Sequence, residues 1–247
     1  MSPRATWIPY ALIAPSVLFL CALFIVPLVQ TLWLSVSSED GISLSNYARM
    51  ADDLNFGVAI RNTFTLTLVV VPLQVALAIG MAVLLTKVEK GRDLILWVFT
   101  IPLGVSDLAA GLAWLAILQN SGYLNSALYG LGLIPAQVSW LSQETPLTLF
   151  AAIVLAEVWR ATAIVLVIVV AGLQLIPKEY AEAAQIFGAR PWTRFCRITL
   201  PLLRPSLQSA LILRTVLAFE VFAVVYALGG TSFPVLAGEA YNWQNIN

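Results

Sequence analysis

Five ionisable side chains stand inside stretches that are otherwise apolar enough to lie in lipid: Asp107, Glu157, Arg160, Arg214 and Glu220. A charged group at the centre of a bilayer costs about 2.5–3.5 kcal/mol on insertion scales, so each of these must face protein or water. Their types admit several chemistries. Two of the carboxyls Asp107, Glu157 and Glu220 would serve as an acid and a base if they converged on one site. The same acids would carry protons in an ion-coupled transporter. The carboxyls and cations together would either pair between helices and fix packing, or line a hydrated path. Glu157 and Arg160 are three apart, on one face of a helix, and are expected to pair directly; Arg214 and Glu220, six apart, are poorly placed for that. Nothing in the spacing of the three acids requires them to converge, which weighs against the acid–base reading. Trp159 adds an aromatic face beside Arg160, the alternative being a packing or interfacial role for its indole.

Other chemistries lack their residues. The chain has no histidine and two cysteines, Cys21 in an apolar segment and Cys196 in a basic loop, so neither an imidazole site nor a disulfide is expected. Thirteen Lys and Arg balance thirteen Asp and Glu, which leaves no basic footprint for nucleic acid. No Gly-x-x-x-x-Gly-Lys-Ser/Thr occurs, so any ATP hydrolysis must lie on another chain. No catalytic residue, metal or cofactor is assigned.

The elements that must position the charged residues follow from composition. Of 247 residues 60% are hydrophobic and 11% charged, a balance suited to a multispan membrane protein. A helix needs roughly 20 apolar residues to cross the hydrocarbon core. Five stretches meet that length: Ile8–Ser35, Asn62–Thr86, Leu94–Leu118, Leu147–Leu173 and Ser206–Leu228. The predicted fold is an all-α polytopic helix bundle, a single membrane domain over 1–247. The apolar run from Ile8 exceeds a signal-peptide core and lacks a small-x-small cleavage site, so it reads as a retained first span. Prolines 9, 15, 27, 72 and 102 within or beside the spans read as kinks. Arg4, the Lys87/Lys90/Arg92 turn and the stretch Lys178–Arg204 hold nine of the thirteen cations, while Gln119–Pro146 holds none. That bias places the N-terminus, Arg92 and Arg190 in the cytoplasm, and the Glu39–Arg61 connection, Asn120 and Tyr241 outside.

The longest cytoplasmic connection, 175–201, has its own punctuation. Pro177 suits the start of a helix and Gly188 the position just past its end. Tyr180, Ala183, Ala184 and Phe187 share one face of that helix, with two small residues at its centre that permit close approach by another surface. Pro191 opens a second short helix with Trp192 and Phe195 on one side and Arg190, Arg194 and Arg197 on another, ended by Leu200-Pro201. Two short helices bent at a glycine form a partly apolar projection that either meets another protein or lies on the lipid surface with its arginines toward head groups.

Glu182-Ala183-Ala184, Gly188 six residues after the glutamate, and Ile198-x-Leu200-Pro201 resemble the EAA loop of binding-protein-dependent ABC importer permeases. Ala14-Pro15 through Pro27 to Leu34-Ser35, the Tyr47-to-Asn62 connection and Ala156-Glu157-Val158-Trp159 extend the resemblance, which is greatest to the carbohydrate branch of maltose, trehalose and glycerol-phosphate permeases. It implies a type I importer transmembrane domain in a bacterial or archaeal cell membrane, forming half of a translocation path. It further implies cytoplasmic ATPase subunits docked on the EAA loop, a second permease subunit, and a substrate-binding protein at the outer face. The loop residues that carry the coupling would be Tyr180, Glu182, Ala183, Ala184, Phe187, Gly188, Ile198, Leu200 and Pro201. By the same resemblance Arg160, Ala161, Ile164, Phe219, Glu220 and Phe222 line the sugar path, joined by Asp107, Glu157 and Trp159 from the charged and aromatic residues above. Amino-acid, peptide, polyamine and phosphate importers share the EAA loop and are the alternatives within the class. Two departures stand out: family members have at least six spans, so a further span is expected beyond Asn247, and the family's Gly-rich segment here reads Leu228-Gly-Gly-Thr-Ser-Phe-Pro234.

Overall fold

A computed structural model describes residues 7–38 and 41–246. Arg4, Glu39, Asp40 and Asn247, on which parts of the orientation and span arguments rest, lie outside the described residues. The chain divides after Gly57 into two compact units.

In the first unit, α1 (Ile8–Leu20), a π turn (Cys21–Ile25) and α2 (Val26–Ser35) run on as one apolar helix of 28 residues. The π turn stops two residues before Pro27, whose ring would strike the carbonyl four residues back in a regular α-helix; a widened turn makes room for it. A two-residue antiparallel pair, β1 (Ser37–Ser38) and β2 (Gly41–Ile42), follows, and then α3 (Ser45–Ala51). Asn46 of α3 donates from Nδ2 to the carbonyls of Leu34, Ser35 and Ser37 at 3.1–3.3 Å, tying α3 to the open C-terminal end of α2.

The second unit follows α4 (Leu54–Leu85) with α5 (Arg92–Thr100) and its 3-10 extension Ile101–Gly104, α6 (Asp107–Leu118), α7 (Tyr123–Gly130) and α8 (Pro146–Gln174). It continues with α9 (Lys178–Ile186), α10 (Pro191–Arg194), a π turn (Phe195–Thr199), α11 (Leu200–Phe219), α12 (Ala223–Gly229), a 3-10 turn (Gly230–Ser232) and α13 (Leu236–Ile246). Two apolar clusters fill it. One joins Leu66 and Val70 of α4, Ala110 of α6, Ile153 and Ala156 of α8, and Val224 and Leu228 of α12. The other joins Ala78 and Ala82 of α4, Val165 and Val169 of α8, and Leu203 and Ala210 of α11. Glycines let these helices touch: a Cβ on Gly111 would meet Ala227 Cβ at 2.7 Å, and one on Gly172 would overlap Ser206 and meet Leu203 at 2.8 Å. The N-terminus of α13 is capped from far along the chain, with the Leu236 N–H donating to Thr63 Oγ1 at 3.0 Å and Asn62 donating to the Pro234 carbonyl. Between α6 and α8 the connection is pinned by buried Asn125, which bonds the carbonyls of Asn120 and Val138, the Val138 N–H and the Trp140 indole.

The expected spans at Ile8–Ser35, Asn62–Thr86 and Leu147–Leu173 correspond to helices Ile8–Ser35, Leu54–Leu85 and Pro146–Gln174. The other two are not continuous. Leu94–Leu118 breaks between Gly104 and Asp107 with a 99° bend, the first piece ending in the 3-10 turn Ile101–Gly104 and Ser106 capping the second by accepting from the Ala109 N–H. Ser206–Leu228 breaks at Glu220–Phe222 with a 47° bend, Phe222 leaving the helical region at φ −139° and ψ −64°. Among the described residues, length and composition therefore allow up to five crossings if each bent pair is one span. The second loop helix also differs from expectation. It does not stop at Leu200-Pro201 but runs through the π turn into α11, Pro201 standing two residues past a widened turn that makes room for its ring, as the earlier π turn does for Pro27.

Candidate functional site

Between the two apolar clusters α4, α8 and α11 each turn one polar side chain inward: Gln74, Glu157 and Arg214, of which Arg214 and Glu157 are 1% exposed. Arg214 donates from its terminal nitrogen to Glu157 Oε2 at 2.8 Å and from Nε to Gln74 Oε1 at 2.6 Å. Gln74 passes its amide N–H to the Glu157 main-chain carbonyl at 2.9 Å, so its oxygen faces the cation and its nitrogen the carbonyl. Taking two charges out of water costs several kcal/mol per ion, and the pair is tolerable because the surrounding groups complete its hydrogen bonds.

Arg160, one turn after Glu157, extends this network outward. Its guanidinium lies 3.4 Å from both Glu157 oxygens and donates to Asp107 Oδ1 at 2.6 Å. Asp107 is the first residue of α6, just past the 99° break, and its side chain is 51% exposed against 17% for Arg160. The two cations and two carboxylates cancel. The residue before Arg160 on α8, Trp159, stands edge-on to Trp114 of α6, centroids 6.0 Å apart. This geometry gives no acid–base pair: Glu157 is held between two guanidiniums and Asp107 is held by one. Glu220, exposed at the end of α11, makes no ion pair among the described residues.

The segment 175–201 has a different construction. After α9, Gly188 takes φ +76° and the Ala189 N–H bonds back to the Ala184 carbonyl, a left-handed helix stop that only glycine adopts without strain. Arg194 reaches back to Gln185 Oε1 at 3.1 Å, bracing α10 against α9. Trp192 and Phe195 stack at 5.5 Å as a pair. None of α9 is buried, and Tyr180, Ile186, Phe187 and Trp192 are all exposed.

The profile of the family described as binding-protein-dependent transport system inner membrane component matches residues 74–247. The chain belongs to that family. Its relatives include the trehalose/maltose transport system permease protein MalF of Thermococcus litoralis, 35% identical over 254 residues, covering 97% of this chain and 85% of that one. The sulfoquinovosyl glycerol transport system permease protein SmoG of Agrobacterium fabrum is 34% identical over 89% of this chain and 73% of its own length. Among solved structures, a bacterial ABC transporter involved in the import of the acidic polysaccharide alginate superposes with a TM-score of 0.79 at 22% identity, covering 99% of this chain and 87% of that one. A second structure of a bacterial alginate ABC transporter, in complex with an alginate pentasaccharide-bound periplasmic protein, gives 0.82 at 21% identity, covering 98% and 85%. The fold is that of an ABC importer transmembrane domain, and the permease is an integral membrane transport subunit rather than an enzyme.

The residues singled out in the permease sequence fall into three places. Asp107, Glu157 and Arg160 are brought together as above, with Trp159 alongside. Ala161 is buried, Ile164 packs against the cluster of Ala78, Val165 and Leu203, and Phe219 stands edge-on to Phe64 at 5.1 Å. Phe222 joins a separate aromatic group with Tyr226 and Tyr241, at 5.3 and 5.0 Å. The expected Glu157–Arg160 pair is present but long; the short partners are Arg214 for Glu157 and Asp107 for Arg160. Sequence reasoning passed over Gln74 and Trp114. Gln74 carried a usable signal, as a lone amide in the apolar run Leu68–Ile79.

Proposed function

We propose that the permease is one of two membrane subunits of an ATP-driven importer for a carbohydrate, working as a single domain over 1–247 and coupled to its ATPase through Lys178–Pro201. The observation that carries the coupling is the exposed apolar face of Tyr180, Phe187 and Trp192 on a segment whose bend is held by Gly188 and Arg194. An apolar projection set at a defined angle has little use in water unless a partner covers it. In this reading Tyr180, Ala183, Ala184 and Phe187 enter a cleft of the ATPase, Glu182 meets basic groups there, and Ile198, Leu200 and Pro201 join the projection to α11. The carbohydrate assignment is supported by relatives named for trehalose/maltose and sulfoquinovosyl glycerol transport. Asp107, Trp159 and Arg160 form the exposed end of the path, while Glu157, buried beneath Arg160, shapes it from behind.

The cation bias places the N-terminus, Arg92 and Arg190 in the cytoplasm of a bacterial or archaeal cell, with Asn120 and Tyr241 on the outer face toward a substrate-binding protein. Single cysteines at these positions, on a background lacking Cys21 and Cys196, report sidedness to an impermeant thiol reagent; labelling at 190 from outside intact cells would reverse the orientation. The function is tested by reconstituting the permease with its neighbouring permease, ATPase and binding protein, then measuring sugar uptake and stimulated ATP hydrolysis. Uptake without ATP consumption would reject the reading.

A further inference from the structure

We propose that the Asp107–Arg160 ion pair is a charge filter which makes the path selective for uncharged carbohydrates over acidic ones. The inference rests on the carbohydrate reading above and names the class within it.

Three observations meet at this pair. Arg160 is the one cation at the exposed end of the network, since Arg214 is sealed beneath it by Glu157 and Gln74. A guanidinium is the natural partner for a sugar carboxylate or sulfonate, which it binds through two parallel N–H groups. Here one terminal nitrogen is held at 2.6 Å by Asp107 and the other faces both Glu157 oxygens at 3.4 Å, so both arms of the fork are occupied. An acidic sugar would have to displace Asp107 and leave that carboxylate unpaired beside its own charge. A neutral sugar faces no such exchange. Trp159, the residue before Arg160 on α8 and 41% exposed, offers an apolar ring of the kind on which a pyranose stacks.

The pair also spans a structural joint. Asp107 begins α6 immediately after the 99° break, and Arg160 lies in the middle of the 29-residue helix α8. Filter and joint therefore share one contact, and the carboxylate occupies the helix N-terminus, where its charge is favoured.

The test measures binding by isothermal titration to the full permease assembled with its partner subunits, without the binding protein, which would impose its own selectivity. The probes are trehalose, maltose and maltotriose, and the uronates made by oxidising their 6-hydroxymethyl groups. Wild type should bind at least one neutral sugar and none of the uronates. Asp107→Asn, a near-isosteric change at a half-exposed position, should bind uronates at least about ten-fold tighter than wild type does. The ratio of uronate to neutral-sugar affinity should rise with it. Adding Arg160→Gln to Asp107→Asn should abolish the gain. Uronates bound by wild type as tightly as their neutral counterparts, or no gain in Asp107→Asn, would overturn the filter. A neutral sugar bound with no uronate gain would overturn the filter alone, whereas no binding of any probe, neutral or acidic, by wild type or variant would reject the carbohydrate reading and the filter with it.

Discussion

The layer formed by Gln74, Glu157 and Arg214 and the segment Lys178–Pro201 both interrupt apolar chain with polar residues, and they are built in opposite ways. In the layer every charge is closed off by a partner on another helix, with side chains 0–1% exposed. In the segment α9 buries nothing, its bend is made by a glycine and a short side-chain brace, and Phe187 is 89% exposed. The first is complete within this chain. The second leaves its large apolar side chains uncovered by the described residues. Damage to the layer should therefore act on the permease itself, and damage to the segment should act only when an ATPase is present.

The largest effect is expected from Arg214→Ala. Removing one member of a buried pair strands the other, and about 3–5 kcal/mol of stability should be lost. The measurement is thermal unfolding of the permease in detergent, together with the yield of folded protein in the membrane. Arg214→Met combined with Glu157→Leu should recover most of that loss, since the pair is then removed together. A single variant as stable as wild type would place the layer among the dispensable contacts.

Next comes Gly172→Val. The added methyls would strike Ser206 and Leu203 at the crossing of α8 and α11, and overpacking of this kind costs roughly 1–3 kcal/mol. The same unfolding assay checks it. Gly80→Val, where no atom lies within 4 Å of the added carbon, should change stability far less.

Gly188→Val should cost only about 1 kcal/mol, the strain of a side chain at φ +76°. Its effect on coupling should be much larger. Copurification of the ATPase and hydrolysis stimulated by loaded binding protein should both fall while the melting temperature of the permease alone barely moves. Wild-type stimulation would sink the docking role of the segment.

The smallest stability change is expected from Phe187→Ala and Ala184→Trp, both on a helix that buries nothing. Each should leave unfolding within about 0.5 kcal/mol of wild type and still weaken ATPase copurification, Ala184→Trp the more so because a ring at the small-residue centre blocks close approach. If instead the segment lies on lipid, both variants will copurify with the ATPase as well as wild type does.

The segment was legible in the sequence because its structure is local. Pro177, Gly188 and Pro191 act on their own backbone, and a start or stop signal read at one position is obeyed there. The α9 helix accordingly runs from Lys178 to Ile186. The one misreading, an end at Leu200-Pro201, came from treating Pro201 as a terminator when it lies within the first turn of α11. Hydrophobic composition was equally legible and located all five apolar stretches, although it was silent on the breaks at residues 105–106 and 220–222. Phe219-Glu220-Val221-Phe222 holds no glycine or proline to mark the second of these.

The sequence by itself determined which stretches can live in lipid and where the segment Lys178–Pro201 turns, since both depend on residues adjacent in the chain. Only the tertiary structure decided which charges meet. Arg214 finds Gln74 across 140 residues and Glu157 across 57, and Gln74 finds the Glu157 carbonyl across 83. Arg160 was expected to pair with Glu157, its neighbour on the same face, and does so at 3.4 Å, but its short bond goes 53 residues away to Asp107, the first residue of α6 just past the break. A buried charge must be satisfied by whatever group the packing brings beside it, and no local rule names that group.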